Sequence, residues 1–182
     1  METYEFYHAC RKGDMDKIQL MISKGGNDRN CGLEGACSGG HMEIVELMIS
    51  KGANNLNYGL IGACKGGYME IVELMISKGA DEYNLGLINA CVNGHLEIAK
   101  LMLVKKASNL NQCLIYACRW DNFEIAELML TKGAKYYFDR PDFNKYLMCK
   151  VLEKHFHKQK ICKIIDYLLL PNCLKMEIYK RV

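Results

Sequence analysis

Apolar and polar positions alternate in two short helical patterns along most of the chain. The clearest copy predicts one helix over residues 57–67, with Asn57 as its N-cap, and a second over 69–78 that ends at Gly79. The apolar face of the first helix, at positions i, i+3 and i+4, consists of Leu60, Ala63 and Cys64. The predicted unit is therefore a helix, a tight turn, a second helix and a short loop.

This unit recurs every 27 residues. An Ala-Cys pair ends at Cys10, Cys37, Cys64, Cys91 and Cys118, and leucine, asparagine and lysine positions recur at the same interval. Residues 42–53 and 69–80 are identical, so the second helix is scaffold. Five such units predict an array in which each unit buries its apolar face against its neighbours. The small Ala-Cys pair is expected where two helices approach closely.

The string at residues 87–103, Leu-Ile-Asn-Ala-Cys-Val-Asn-Gly-His-Leu-Glu-Ile-Ala-Lys-Leu-Met-Leu, resembles the ankyrin repeat. The resemblance covers about residues 4–134 and implies an all-α helical solenoid that binds a partner protein in a groove lined by the first helices. The 27-residue unit is about six residues shorter than the usual repeat, so we expect it to lack the projecting hairpin. Shortened, nearly identical units of this kind resemble the ankyrin-repeat proteins of large DNA viruses of protists.

The groove residues are expected where the first helices differ between units. One such position holds His8, Gly35, Gly62, Asn89 and Tyr116, and two more follow three and four residues later. The predicted partner-binding residues are Arg11, Lys65, Asn89, Asn93, Tyr116, Arg119 and Trp120, which include residue types common in binding hot spots. An equally weighted alternative is that the fifth unit is degenerate and Trp120 packs on the C-terminal segment.

Catalysis and metal binding are not predicted. Cys37 with His41, and Cys91 with His95, have the residue types of a nucleophile and base or of metal ligands. Successive units, however, carry Asp14, His41, Tyr68, His95 and Asn122 at the histidine position. A catalytic or metal-binding role does not tolerate such different residue types at one position, so we expect these side chains to cap the second helix or to bridge the turn. We predict that the protein is not an enzyme and that it binds no cofactor or metal.

Composition and charge limit the remaining possibilities. The chain has 182 residues, of which 50% are hydrophobic and 25% are charged, as in a folded protein. It has no apolar run of about 18 residues and no secretory signal pattern, so we expect an intracellular protein that does not enter membranes. Residues 1–134 carry a net charge of −3 and residues 135–182 carry +6.

The 27-residue period ends after Ala134, which predicts a repeat array over 1–134 and a separate helical cap over 135–182. Helical patterns cover residues 142 to about 155 and 160–170. The basic residues of this segment are scattered and not clustered, which argues against nucleic-acid binding. The spacing of Cys149, His155, His157 and Cys162 matches no familiar zinc finger.

A second function is predicted by the end of the chain. Residues 168–175, Leu-Leu-Leu-Pro-Asn-Cys-Leu-Lys, resemble the terminal pattern of the SOCS box, an adaptor that recruits ubiquitin-ligase components such as elongin C and a cullin. The resemblance implies adaptor contacts at Cys149, Leu170, Pro171 and Leu174. Lys145 and Met148 stand where that family has leucines. The simpler alternative is a cap that closes the array.

Overall fold

The computed structural model describes residues 2–25 and 28–135, whose regular structure is entirely helical. The helices of these two ranges are α1 (Glu2–Lys12), α2 (Met15–Ser23), α3 (Arg29–Gly39), α4 (Met42–Ser50), α5 (Leu56–Gly66), α6 (Met69–Ser77), α7 (Tyr83–Asn93), α8 (Leu96–Val104), α9 (Leu110–Arg119) and α10 (Phe123–Thr131). The expected helix-turn-helix repeat without a projecting hairpin is confirmed over these residues.

The chain divides into two compact units, Met1–Ala107 and Ser108–Val182. In the first unit α1, α3, α5 and α7 pack side by side in that order, and each packs on the second helix of its own repeat. In the second unit α9 packs on α10. The predicted boundary at residue 134 stays a prediction, because the expected cap helices over 142–155 and 160–170 lie outside the described residues.

The core is one layer repeated along the array. In α5 the predicted face of Leu60, Ala63 and Cys64 is fully buried. It lies with Ile71, Val72 and Met75 of α6, none of which is more than 2% exposed. Burial of four to seven apolar side chains in each described helical pair explains why short helices of nine to eleven residues are stable here.

Glycines set the spacing between consecutive first helices. A Cβ atom added at Gly62 of α5 would lie 2.6 Å from the Glu34 carbonyl oxygen of α3, and one added at Gly35 would overlap the Tyr7 carbonyl oxygen of α1. The helix backbones therefore touch at these glycines, and the neighbouring Cys37 Cβ packs beside them. The predicted close approach is confirmed, although glycines, not the Ala-Cys pairs, make the closest contact.

The prediction that Asn57 caps the first helix is wrong. The helix α5 begins at Leu56, and its N-cap is Asn55, whose Oδ1 accepts a hydrogen bond of 3.3 Å from the Tyr58 backbone N–H. The loop before the helix is short enough that Asn57 lies inside the first turn. The Asn57 side chain therefore does not cap its own helix and can reach another loop.

The recurring asparagine ties the first helices α3, α5 and α9 to the loops that follow their own second helices. Asn57 Oδ1 accepts hydrogen bonds from the backbone N–H groups of Asp81 (2.9 Å) and Glu82 (3.1 Å). Asn30 Oδ1 does the same for Asn54 and Asn55, both at 2.9 Å. These amides stand at the start of the next first helix, where backbone N–H groups lack helical partners. One side chain thus replaces the missing hairpin as the tie between repeats.

Candidate binding face on the first helices

Large apolar side chains are exposed at one repeat position of the first unit. Tyr4 is 70% exposed, Tyr58 49% and Leu85 43%. They lie on α1, α5 and α7 at multiples of the 27-residue interval, and we call them the apolar column. Exposed apolar side chains that recur at one repeat position are candidates for contact with a partner.

The same helical face continues for two more turns. Ile61 and Ile88, three residues after the column, are half-buried. Seven residues after the column stand Arg11 on α1, Ser38 on α3 and Lys65 on α5, which we call the polar row. Positions i, i+3 and i+7 share one side of a helix, so the column and the row belong to a single face.

Helix α3 presents small or partly buried side chains on this face. Ser38 is only 6% exposed, and its Oγ is buried without a hydrogen-bond partner. Burial raises the pKa of the half-buried Glu34 carboxyl, and the positive charge of Lys65 opposes this shift. Burial, reinforced by Asp28 and Glu34, raises the pKa of the Cys31 thiol. This face therefore combines apolar, cationic and unsatisfied polar groups.

The predicted contact residues of the first unit differ in what their side chains do. Arg11 and Lys65 are exposed and stand in the polar row. The side-chain amides of Asn89 and Asn93 fold back on α7, donating to the carbonyl oxygens of Leu85 (2.9 Å) and Asn89 (2.8 Å). Asn89 occupies the repeat position at which Gly62 meets the backbone of the preceding helix.

The other three predicted contact residues lie on the second unit. Arg119 and Trp120 at the end of α9 are exposed, Trp120 by 58%. Tyr116 is half-buried, and its hydroxyl accepts a hydrogen bond of 3.5 Å from Gln112 Nε2. The alternative, in which Trp120 packs on the C-terminal segment, involves residues beyond Lys135, which lie outside the described residues.

The apolar column is the feature that the sequence reasoning missed. The relevant signal was present, because its repeat position reads Tyr4, Cys31, Tyr58, Leu85 and Gln112, different in almost every unit. The prediction followed variation near the end of the first helix and passed over variation near its start. Exposure, which separates contact residues from core residues, required the structure.

The cysteines of the two cysteine and histidine pairs, Cys37 and Cys91, are fully buried. Burial raises the pKa of the Cys37 thiol to about 12, so it remains a neutral thiol at ordinary pH. His41 Nε2 lies 3.0 Å from the Arg11 carbonyl oxygen, and His95 Nε2 lies 3.2 Å from that of Lys65. Each ring therefore links its turn to the end of the first helix of the preceding repeat, and neither ring caps the second helix that follows it. Asp14, at the same position, instead caps α2 by accepting from the Lys17 N–H at 3.1 Å.

Within residues 2–25 and 28–135, no group of three or more His, Cys, Asp or Glu side chains could hold a metal ion. None of the described helices is long and apolar enough to cross a membrane. Two sets of residues lie outside the described part of the chain. They are the predicted adaptor residues Cys149, Leu170, Pro171 and Leu174, and the cysteines and histidines considered above as zinc ligands, Cys149, His155, His157 and Cys162.

Comparison with known proteins identifies the repeats. The family model for ankyrin repeats, in three copies, matches residues 60–139. Residues 60–139 therefore contain ankyrin repeats, as the sequence predicts. Ankyrin repeats are in general protein–protein interaction modules and typically not enzymes. No curated protein matches the chain by sequence.

Proposed function

We propose that this protein binds a partner protein through the face formed by its first helices. The observation that carries the proposal is the apolar column, which consists of three large exposed side chains at one repeat position. Its helices belong to the layer of first helices, each of which packs on the second helix of its own repeat. The second helices α4 and α6 are identical in sequence, as expected of a structural layer. Aromatic side chains in such positions supply much of the binding energy in protein interfaces.

The proposed contact set joins the column to the sequence-predicted residues. On the first unit it comprises Tyr4, Tyr58 and Leu85 with Arg11, Lys65, Asn89 and Asn93. On the second unit the proposed contact residues are Tyr116, Arg119 and Trp120, taken by themselves. An intracellular site of action is part of the proposal. It is supported by the seven cysteines of the described region, all of them free thiols, which suit a reducing compartment.

The experiment compares two double variants of the full chain, each of which replaces two exposed apolar side chains by serine. Tyr58→Ser with Leu85→Ser changes the proposed binding face, whereas Leu20→Ser with Val104→Ser changes exposed positions on the second helices. Both variants should keep the helical circular dichroism of the parent. We expect proteins captured from eukaryotic cytosol and quantified by mass spectrometry to be lost only from the first variant. Loss from both variants, or from neither, refutes the proposed face.

A second candidate function is that of a substrate-receptor adaptor of a ubiquitin ligase. It is supported by the sequence pattern of residues 168–175, with Pro171 and Leu174 as proposed adaptor contacts. The test is co-purification of elongin C and a cullin with the full chain and with Pro171→Ala. Recovery that falls with the variant supports the adaptor function, and absence of both proteins from the parent refutes it. In that case residues 135–182 serve as a cap.

A further inference from the structure

The polar row contains a hydroxyl that lacks a hydrogen-bond partner. Ser38 Oγ is fully buried and, among the side-chain nitrogen and oxygen atoms buried in residues 2–25 and 28–135, it is the one without a hydrogen-bond partner. A buried polar group without a partner costs about 1–3 kcal/mol, and most such groups in proteins are satisfied. Alanine or glycine at this position would avoid the cost. The serine is therefore best explained by a partner that arrives when the protein binds.

The groups beside Ser38 define what that partner should be. Arg11 and Lys65 occupy the same repeat position on the preceding and following first helices. Adjacent helices pack about 8–10 Å apart, so the long side chains of both residues can reach over the short serine between them. Both are exposed, so their charges are available to a partner that lies along the polar row. Two cations and a hydroxyl donor suit a carboxylate.

We infer that the polar row binds the carboxylate of an aspartate or glutamate in an extended partner segment, whose apolar side chain lies on the apolar column. This inference rests on the proposed function. On α5, Lys65 of the row follows Tyr58 of the column by seven helical residues, a distance of about 10 Å. An extended chain covers that distance in about three residues. The recognised pattern is therefore an apolar residue three positions from an acidic one.

One group on the face opposes this assignment. Glu34 stands on α3 between the column and the row, and its negative charge repels an incoming carboxylate. Lys65 attracts Glu34 in the free protein, so the bound carboxylate and Glu34 compete for the same cation. Removing the charge of Glu34 should consequently tighten binding, which distinguishes this site from a merely apolar one.

The test uses the immobilised full chain and a phage-displayed library of random peptides. Peptides that bind are synthesised with a fluorescent label, and their affinity is measured by fluorescence anisotropy. We expect selected peptides to share an acidic residue three positions from an apolar one. Changing the acid to its amide should weaken binding about tenfold, the effect of losing a charged hydrogen bond.

Four variants of the protein locate the effect. Lys65→Gln should weaken binding by a similar factor, and Lys51→Gln, an equal charge change at the end of α4, should leave it unchanged. Glu34→Gln should tighten binding. Ser38→Ala should weaken binding while leaving the thermal stability unchanged or higher, because it removes an unsatisfied hydroxyl.

The outcomes separate the two proposals. In one outcome, selected peptides lose binding to Tyr58→Ser and yet keep their affinity when their acidic residue is changed to its amide or when the protein carries Lys65→Gln. That result overturns the inference and leaves the proposed function standing. A library without binders sensitive to Tyr58→Ser overturns both. Selection of peptides rich in lysine, or weaker binding by Glu34→Gln, overturns the carboxylate and indicates a basic partner.

Discussion

The glycine contact between α3 and α5 can be tested by adding a single methyl group. A Cβ atom at Gly62 would lie 2.6 Å from the Glu34 carbonyl oxygen and 3.3 Å from the Ser38 nitrogen, whereas ordinary contact begins near 3.4 Å. The two backbones must therefore separate by about 0.8 Å at this point. Overpacking of this kind costs about 1–3 kcal/mol. The better helix propensity of alanine returns about 1 kcal/mol.

Gly62→Ala should consequently lower the free energy of unfolding by about 1 kcal/mol. The assay is urea unfolding of the full chain followed by far-ultraviolet circular dichroism. The matched control is Asn89→Ala at the same repeat position of α7, where a side chain is already accommodated. The control should be neutral or stabilise by a few tenths of a kcal/mol, because alanine is the better helix former. Stabilisation by Gly62→Ala would refute the backbone contact, since it would show that propensity acts alone.

Three further predictions concern backbone strain, the asparagine tie and the buried thiols. Lys106 adopts a positive φ of 70° where other repeats have glycine, so Lys106→Gly should stabilise by about 1 kcal/mol in urea unfolding, whereas Lys105→Gly should not. Asn57→Ala removes two backbone hydrogen bonds and should destabilise by about 1–3 kcal/mol, against no measurable loss for the exposed Glu73→Ala. Burial raises the pKa of Cys64 from 9.0 to about 12. Because the folded state retains this proton longer, its stabilising effect is complete below pH 9 and is lost as the pH rises toward 12. The stability of the parent should fall over that range more steeply than that of Cys64→Ala, by up to about 1.4 kcal/mol per pH unit, and equal slopes would contradict the shift.

The repeat unit was predictable because its cause is local and periodic. The apolar face of Leu60, Ala63 and Cys64 and the stop at Gly79 follow from helix geometry and glycine conformation, which act over a few residues. Five near-copies of one pattern also reinforce each other. The role of Asn57 was not predictable in the same way, because its partners Asp81 and Glu82 are 24 and 25 residues away in the chain.

The sequence by itself determined the helical class, the 27-residue unit, the scaffold role of the second helix and the ankyrin character of the repeats. Only the tertiary structure decided which variable positions face solvent. Exposure depends on the packing of neighbouring helices, which turns Gly62 toward the preceding backbone and leaves Tyr58, four positions earlier, exposed. The unpartnered hydroxyl of Ser38 likewise became visible only when three helices were placed side by side, because a missing hydrogen bond is a property of the surroundings and not of the residue.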